Sequence, residues 1–330
     1  MMLRLMLKYY CSLFLIFFSA LNSKITSQDK LTLIYEPANF KFDSNSVENY
    51  QEASLLILGE DYPIEIKSRG IRRKEMCSYT PIKFKPIKSV EYPIHYLNEN
   101  KSMKLVRPCF HDSIYRQIVL REFLVYKMYS ILTPYSFEVY WLDMEFVFPK
   151  GDYKGGVFLI ESFQHLRERT GLIKYEDKGK KKLEEFDLTS TQVLALFQFM
   201  INNYDWSTDD YHNLKVAADS SYRPILIPYD FDYARMVNAP YASISDGVGV
   251  DSLEKRRYLG NRYSRKELEG TRSLFLDKKS EIYDLVNNES ALREEHKKDM
   301  PSMLNSFYNI LESKAELKKS FKKREITKIY

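Results

Sequence analysis

The densest chemistry in this chain lies between Asn202 and Asp232. Asp205, Asp209, Asp210, His212 and Asn213 share one polar loop, and Asp230 and Asp232 flank Phe231 at the end of an apolar run. Asn213 stands eight residues after Asp205, and Asp230 seventeen after Asn213. Carboxylates and an amide oxygen on two adjacent loops are hard oxygen donors, and Mg²⁺ takes only a few of these from protein. Taken singly, each acid also suits a turn or a helix cap. The combination with an apolar strand ending in Asp-Phe-Asp points instead to a divalent cation. Zinc is a poorer match, because the five His are scattered and no Cys-x-x-Cys occurs.

Something rigid has to hold those two loops. Asp187-Leu-Thr-Ser-Thr offers capping groups for a buried helix over Gln192 to Ile201 (QVLALFQFMI), which leads into the first loop. LKVAA and PILIPYDFDYA then read as a short strand pair carrying the second. Upstream, LTLIYE, ASLLILG, YPIEIKSRG and PIKFKPI are short strands separated by Pro, Gly, Asn and Ser. One helix interrupts them, Ser113 to Leu132, with Ile114, Ile118, Leu120, Phe123, Leu124, Met128 and Ile131 at helical spacing and Thr133-Pro134 as its stop. FEVYWLDMEFVF and GVFLIES resume the strands. Phe163 to Asp187 reads as a polar connecting loop holding KGKKK at Lys178–Lys182, and a mixed-charge tail ends in a helix over about Ser302 to Lys323.

The 330 residues are 44% hydrophobic and 15% aromatic, which argues against disorder and against repeats. Fifty Lys and Arg against 45 Asp and Glu give a formal +5 without a dense basic stripe, so no nucleic-acid partner is expected. Arg4 and Lys8 precede an apolar run, Cys11 to Leu21, which polar NSKITSQDK follows. That is the order of an export signal, and the run is short for a membrane span of roughly 20 residues. Residues 1–27 are therefore assigned to a signal peptide, whose loss removes Arg4, Lys8 and Lys24 and lowers the charge to +2. The expected location is secreted or periplasmic, with no transmembrane segment. Cys77 and Cys109 remain as an even pair, either bridged in an oxidising compartment or two separate buried thiols.

An Asp, a following Asn and then Asp-Phe-x is the order of a protein-kinase site. Here Asp232 replaces the usual Gly, the Asp-to-Asn spacing is eight rather than five, and no Gly-x-Gly-x-x-Gly loop precedes them, so an ordinary eukaryotic-type kinase is excluded. Four stretches in register resemble the CotH-type kinases, exported atypical kinases first associated with spore coats. They are IEIKSRGIRR (Ile64–Arg73), Leu120-Arg121-Glu122, GGVFLIES (Gly155–Ser162), and NNYDWSTDDYHN with LIPYDFDYA, together spanning roughly residues 60–235. The resemblance implies a two-lobed, protein-kinase-like α+β fold: a β-rich lobe with one helix over 28–162 and a mainly helical lobe over 163–330. It implies ATP and Mg²⁺ (or Mn²⁺), and a hydroxyl acceptor on a protein or glycan.

Carried over residue by residue, Asp205 orients or deprotonates the acceptor hydroxyl. Asn213 and Asp230 hold the metal against the nucleotide phosphates, and Asp232 assists. Glu122 pairs with a phosphate-contacting Lys, with Lys104 narrowly preferred over Lys83 and Lys85. Arg69 faces phosphates, and Glu161 contacts the adenine end where the lobes join. Ile71-Arg72-Arg73 departs from the Asn/Ser-rich turn usual in that family, and the long loop leaves open a pseudokinase. Two further readings stand beside transfer: a non-catalytic secreted binding protein using some of the 26 Tyr and 20 Phe, and a phosphoester hydrolase using Asp205, Asp230 and Asp232 on metal.

Overall fold

In the computed structural model the described residues are 31–34, 50–69, 77–79, 81–98, 101–147, 153–176, 179, 185–244, 248–261, 263 and 265–321. The export signal, the Ile71-Arg72-Arg73 turn and nearly all of the KGKKK run lie outside them. Alternating apolar residues build the first half. Strands β1 (Leu31–Ile34), β2 (Gln51–Ile57), β3 (Glu60–Ser68), β4 (Ile82–Pro86), β5 (Met103–Val106), β6 (Val139–Val147) and β7 (Tyr153–Ile160) form a closed barrel in the order β1-β2-β3-β4-β5-β7-β6. β1 closes it by pairing in parallel with β6, while its other neighbour, β2, is antiparallel. This closed barrel differs from the sheet of a protein-kinase small lobe.

Period two sorts the side chains. Ile64 and Ile66, Ile82 and Phe84, and Met103 and Leu105 are buried and share one apolar cluster with Leu159. A fully buried Leu or Ile contributes about 1.5–3 kcal/mol relative to exposure. The residues between them face out, and the register aligns Lys67 with Lys83 and Lys83 with Lys104 across three strands. Turn geometry explains one glycine and close packing another. Leu58 and Gly59 both have positive φ in the two-residue turn joining β2 to β3, as that turn's twist requires. A Cβ on Gly156 would run into the Trp141 ring, so the Gly155-Gly156 pair reflects packing.

Helix α1 (Ser113–Leu132) begins where the Asp112 carboxylate accepts the Ile114 N–H at 2.7 Å, and ends at Thr133 as the sequence indicates. It lies on β7, and its buried residues join a second cluster that includes Val106, Phe158 and Ile160 from the barrel and most of the helical half. The polar stretch after Glu161 is not an open loop throughout. It contains α2 (Phe163–Thr170), capped by the Ser162 hydroxyl on the His165 N–H, and β8 (Ile173–Lys174). The Ser162 cap and the fully buried Leu166 outweigh its low hydrophobicity.

Helix α3 (Leu188–Ile201) is buried from Ser190 onward and capped by Asp187. Strands β9 (Leu214–Ala218) and β10 (Pro224–Pro228) form the expected hairpin, with β8 added at its edge. The tail holds more helix than its charge pattern indicates: α4 (Arg265–Asp277), α5 (Lys279–Asn287), α6 (Glu294–Glu312) and α7 (Lys314–Ser320). The expected final helix starts earlier and breaks at Ser313, whose extended backbone lets its hydroxyl cap α7 on the Glu316 N–H. No helix among the described residues is long and apolar enough to cross a membrane.

Cys77 and Cys109 are bridged, with Cα atoms 4.6 Å apart, and join the chain after β3 to the segment before α1. The loop closed spans 32 residues, so reduction, or Cys109→Ser, is expected to lower the unfolding free energy by about 3–4 kcal/mol on the chain-entropy model. Urea unfolding with and without reductant reads this directly, and coincident midpoints would show that the bridge adds nothing.

Candidate functional site

The loop after α3 is built from its own amides and hydroxyls. Asn202 ends the helix in the left-handed conformation, the Asn203 side chain donates to Gln198 Oε1, and its Oδ1 accepts the Asp205 N–H at 3.0 Å. The Ser207 N–H then donates to the His212 carbonyl at 3.2 Å, pinching off Thr208, Asp209 and Asp210 as an exposed tip. Asp209 and Asp210 are thereby kept out of the site. The pinch returns Asn213 to Asp205: Asn213 Nδ2 donates to the Asp205 carbonyl and to Asp205 Oδ2, both at 2.8 Å. The eight-residue spacing thus places the two side chains in contact. His212 adds a third hold, Nε2 to Asp205 Oδ1 at 2.9 Å.

The hairpin brings in the second loop. Leu214 pairs with Pro228, and the Tyr229 N–H donates to the Asn213 carbonyl at 3.0 Å, so Asp230 emerges beside Asn213. Asn213 and Asp230 have φ of 52° and 63°, a conformation that costs a non-glycine residue energy and is common where a site fixes its side chains. The Tyr126 hydroxyl from α1 accepts the Asp230 N–H at 2.9 Å, while Phe231 packs on Tyr126 and Phe197. The carbonyl and carboxylate acceptors on Asp205 fix the Asn213 amide orientation, and its Oδ1 takes no hydrogen bond from the described residues. The Asp230 carboxylate takes no hydrogen bond from the described residues. An amide oxygen and a carboxylate on neighbouring loop ends match the donor set of Mg²⁺, which draws few ligands from protein.

From the barrel, Lys104 extends its ammonium over the Tyr229 ring, 4.4 Å from the centroid. Burial pushes its pKa down to about 8; the Arg69 guanidinium lowers it, Asp230 opposes, and the Lys215 and Lys83 ammoniums lower it again. Arg69, Lys83, Lys104, Lys215 and Asp230 therefore meet at the junction of barrel and helical half. Asp230, from the other half, favours the charged form of Lys104, which lies over Tyr229. Glu122, buried on α1, acts on Tyr126 one turn along the same face, as do Asp230 and Arg69. Burial raises the Tyr126 phenol well above its ordinary value, so it stays neutral.

Glu161 lies where β7 runs into α2, at the expected join, but its carboxylate is engaged locally. Oε1 accepts from the Glu138 N–H and from Arg169, both at 2.7 Å, and His165 stands 3.2 Å from Oε2. Asp232 is buried beyond Phe231. Among the described residues no three His, Cys, Asp or Glu gather as a metal-binding group, so Asp205, Asp230 and Asp232 do not form the shared cluster a hydrolase reading requires. Sequence reasoning missed Tyr126, Tyr229 and Lys215. Hairpin counting finds the last two, since Lys215 opposite Ile227 puts Tyr229 on its diagonal.

No protein-family model matches the chain, and no curated protein does, so the resemblance to the CotH-type kinases rests on the quoted stretches alone. One solved structure, described as a Helicobacter pylori proinflammatory kinase, CtkA, is similar over 74% of this chain and 93% of that chain. The identity is 11% and the TM-score 0.38. A likeness of that extent carries no argument about activity.

If Glu161 organises the join, Glu161→Ala leaves Arg169 and the Glu138 N–H without their acceptor. An expected loss of about 2–3 kcal/mol in unfolding free energy follows, tempered by the partial exposure of Arg169. A variant of wild-type stability with selectively weakened adenine nucleotide binding would instead make Glu161 a base contact.

Proposed function

We propose that this chain is an exported, CotH-like atypical kinase that transfers the γ-phosphate of ATP to a hydroxyl on a protein or glycan. The observation that carries the reading is the junction itself. The β9–β10 hairpin sets Asn213 beside Asp230, Asn213 holds Asp205, and Lys104 faces Asp230 from the barrel. The basic start and apolar run support export, and the Cys77–Cys109 bridge is in keeping with an oxidising compartment.

In this reading Asn213 Oδ1 and Asp230 hold Mg²⁺ or Mn²⁺, with Asp232 in support behind Phe231. The bound cation would neutralise phosphate charge and draw the phosphate oxygens into line. Lys104, Lys83 and Arg69 bind the phosphates from the barrel side. Asp205, held by Asn213 and His212, keeps a lone pair for the acceptor hydroxyl and takes its proton as the oxygen attacks. Tyr126 fixes the backbone of Asp230, and Glu122, one turn before it on α1, keeps its role as the acid that pairs with a phosphate-contacting lysine. The domain division that accompanies this reading puts the phosphate side in 28–162 and the catalytic and metal loops in 163–330.

Asp230→Asn removes a negative ligand and is expected to weaken metal-dependent ATP binding. Asp205→Ala is expected to leave that binding largely intact while lowering transfer by about a hundredfold or more. Titration of Mg·ATP and single-turnover transfer for both variants decide the matter: equal loss of affinity would remove Asp205 from the role of base, and no ATP binding by wild type would end the kinase reading. A wild type that binds ATP without transferring its phosphate would be the pseudokinase.

The Lys104 ammonium supplies a pH test. Bound phosphate favours its protonated form, which the free protein already holds below about 8 and loses above it. Mg·ATP affinity is thus expected to fall by about tenfold between pH 7 and 9, and Lys104→Arg, charged throughout, flattens the profile. A wild-type affinity that does not change with pH would place Lys104 away from phosphate.

A further inference from the structure

Lys215 has no part in the sequence reading, yet it stands at the centre of the junction. On β9 it faces Ile227, and Tyr229 lies on the diagonal of the same face. Its Nζ is 5.0 Å from the centroid of the Tyr229 ring, the ring that Lys104 covers from the barrel at 4.4 Å. One aromatic surface therefore carries two ammoniums, one from each half of the molecule.

Neither lysine has an ion-pair partner among the described residues, nor does Lys83, which stands opposite Lys104 across the β4–β5 ladder. Elsewhere Lys85 pairs with Glu65, Lys101 with Glu168, and Lys255 with Asp251. Like charges facing one another in a partly dehydrated cleft repel, and the electrostatics record that repulsion between Lys104 and each of Arg69, Lys215 and Lys83. Asp230 opposes this repulsion at Lys104, and a cation held there would cancel it. What relieves such a group is an anion of several charges.

We propose that Lys215 is the phosphate ligand of the helical half. It grips the terminal phosphate of a triphosphate against Lys104 across the Tyr229 ring and gives the site a preference for triphosphate over diphosphate. The nucleotide identity of that triphosphate rests on the kinase reading above. Position decides which phosphate is held. Lys215 follows Asn213 by two residues, and the Asn213 amide is bonded to Asp205, so Lys215 lies on the acceptor side of the cleft. Lys104 lies on the barrel side. In transfer, the acceptor oxygen bonds to the terminal phosphorus and its proton passes to Asp205. The bond from phosphorus to the bridging oxygen breaks, leaving its electron pair on the diphosphate. Lys215 contacts the phosphoryl group throughout, and the diphosphate left behind no longer reaches it.

Calorimetric titration of the full chain tests this, first with sodium tripolyphosphate and pyrophosphate without metal, then with Mg·ATP and Mg·ADP. Lys215→Ala and Lys215→Gln are expected to weaken tripolyphosphate and Mg·ATP by roughly tenfold or more. Mg·ADP should stay within about twofold, as should every ligand for Lys67→Ala, a charge-matched control at the far end of the lysine row, over Tyr50. Lys215→Arg should restore most of the loss. Equal losses for ATP and ADP, or none, would overturn the proposal, as would a wild type that binds neither polyphosphate. Should wild type bind tripolyphosphate with the Lys215-dependent loss but ignore Mg·ATP, the anion grip stands and the nucleotide reading falls.

Discussion

Two hydrogen bonds from the Asn213 amide to Asp205 close the loop on which the rest of the site depends. They hold Asn213 in a left-handed conformation, from which β9 starts in the direction that lets β10 return beside it. The return places Asp230, also left-handed, next to Asn213, and the Tyr126 hydroxyl anchors its N–H from α1. Each strained residue is over-determined by partners from a different element. Such strain survives only where the surroundings outweigh it, and two of the seven positive-φ non-glycine residues among the described residues are the proposed metal ligands.

The charges follow the same logic of being held from two sides. The barrel register lines up Lys67, Lys83 and Lys104 on its outer face, and closure of the barrel prevents the row from splaying apart. The helical half contributes Lys215 and Asp230 on the hairpin. Burial that lowers the Lys104 pKa is the same burial that strengthens its attraction to an anion, because both effects come from the loss of water.

A buried polar network ties α1 to the segment beyond Asp232. Arg121, fully buried, donates to the Met236 carbonyl at 2.7 Å and to Asp299 at 2.8 Å, and meets His296 at 2.9 Å. Arg235 grips the same Asp299 through two hydrogen bonds of 3.0 Å. Asp299 on α6 thus serves two guanidiniums, and removing it would leave both charges without their shared carboxylate. The helix bearing Glu122 and Tyr126 is thereby fixed relative to the loop bearing Asp230, which gives the Arg of the Leu120-Arg121-Glu122 stretch a structural role.

Local signals determined much of this from the sequence. Helix α1 was legible to the residue because Asp112, an apolar period and Thr133-Pro134 all act within a few positions. The barrel strands other than the short β5, and the β9–β10 hairpin, were legible from their apolar patterns, and the acidic loop from its composition. Tertiary structure alone decided the closure of seven strands into a barrel, since the parallel β1–β6 pair joins segments more than a hundred residues apart. It decided that α2 forms in a polar stretch, where one buried leucine and a serine cap suffice, and that four helices fill a tail whose charges obscure its apolar stripe. It also decided which lysines converge. Lys104 and Lys215 come from different halves, and whether two like charges share one ring depends on how the halves pack, which no local pattern encodes.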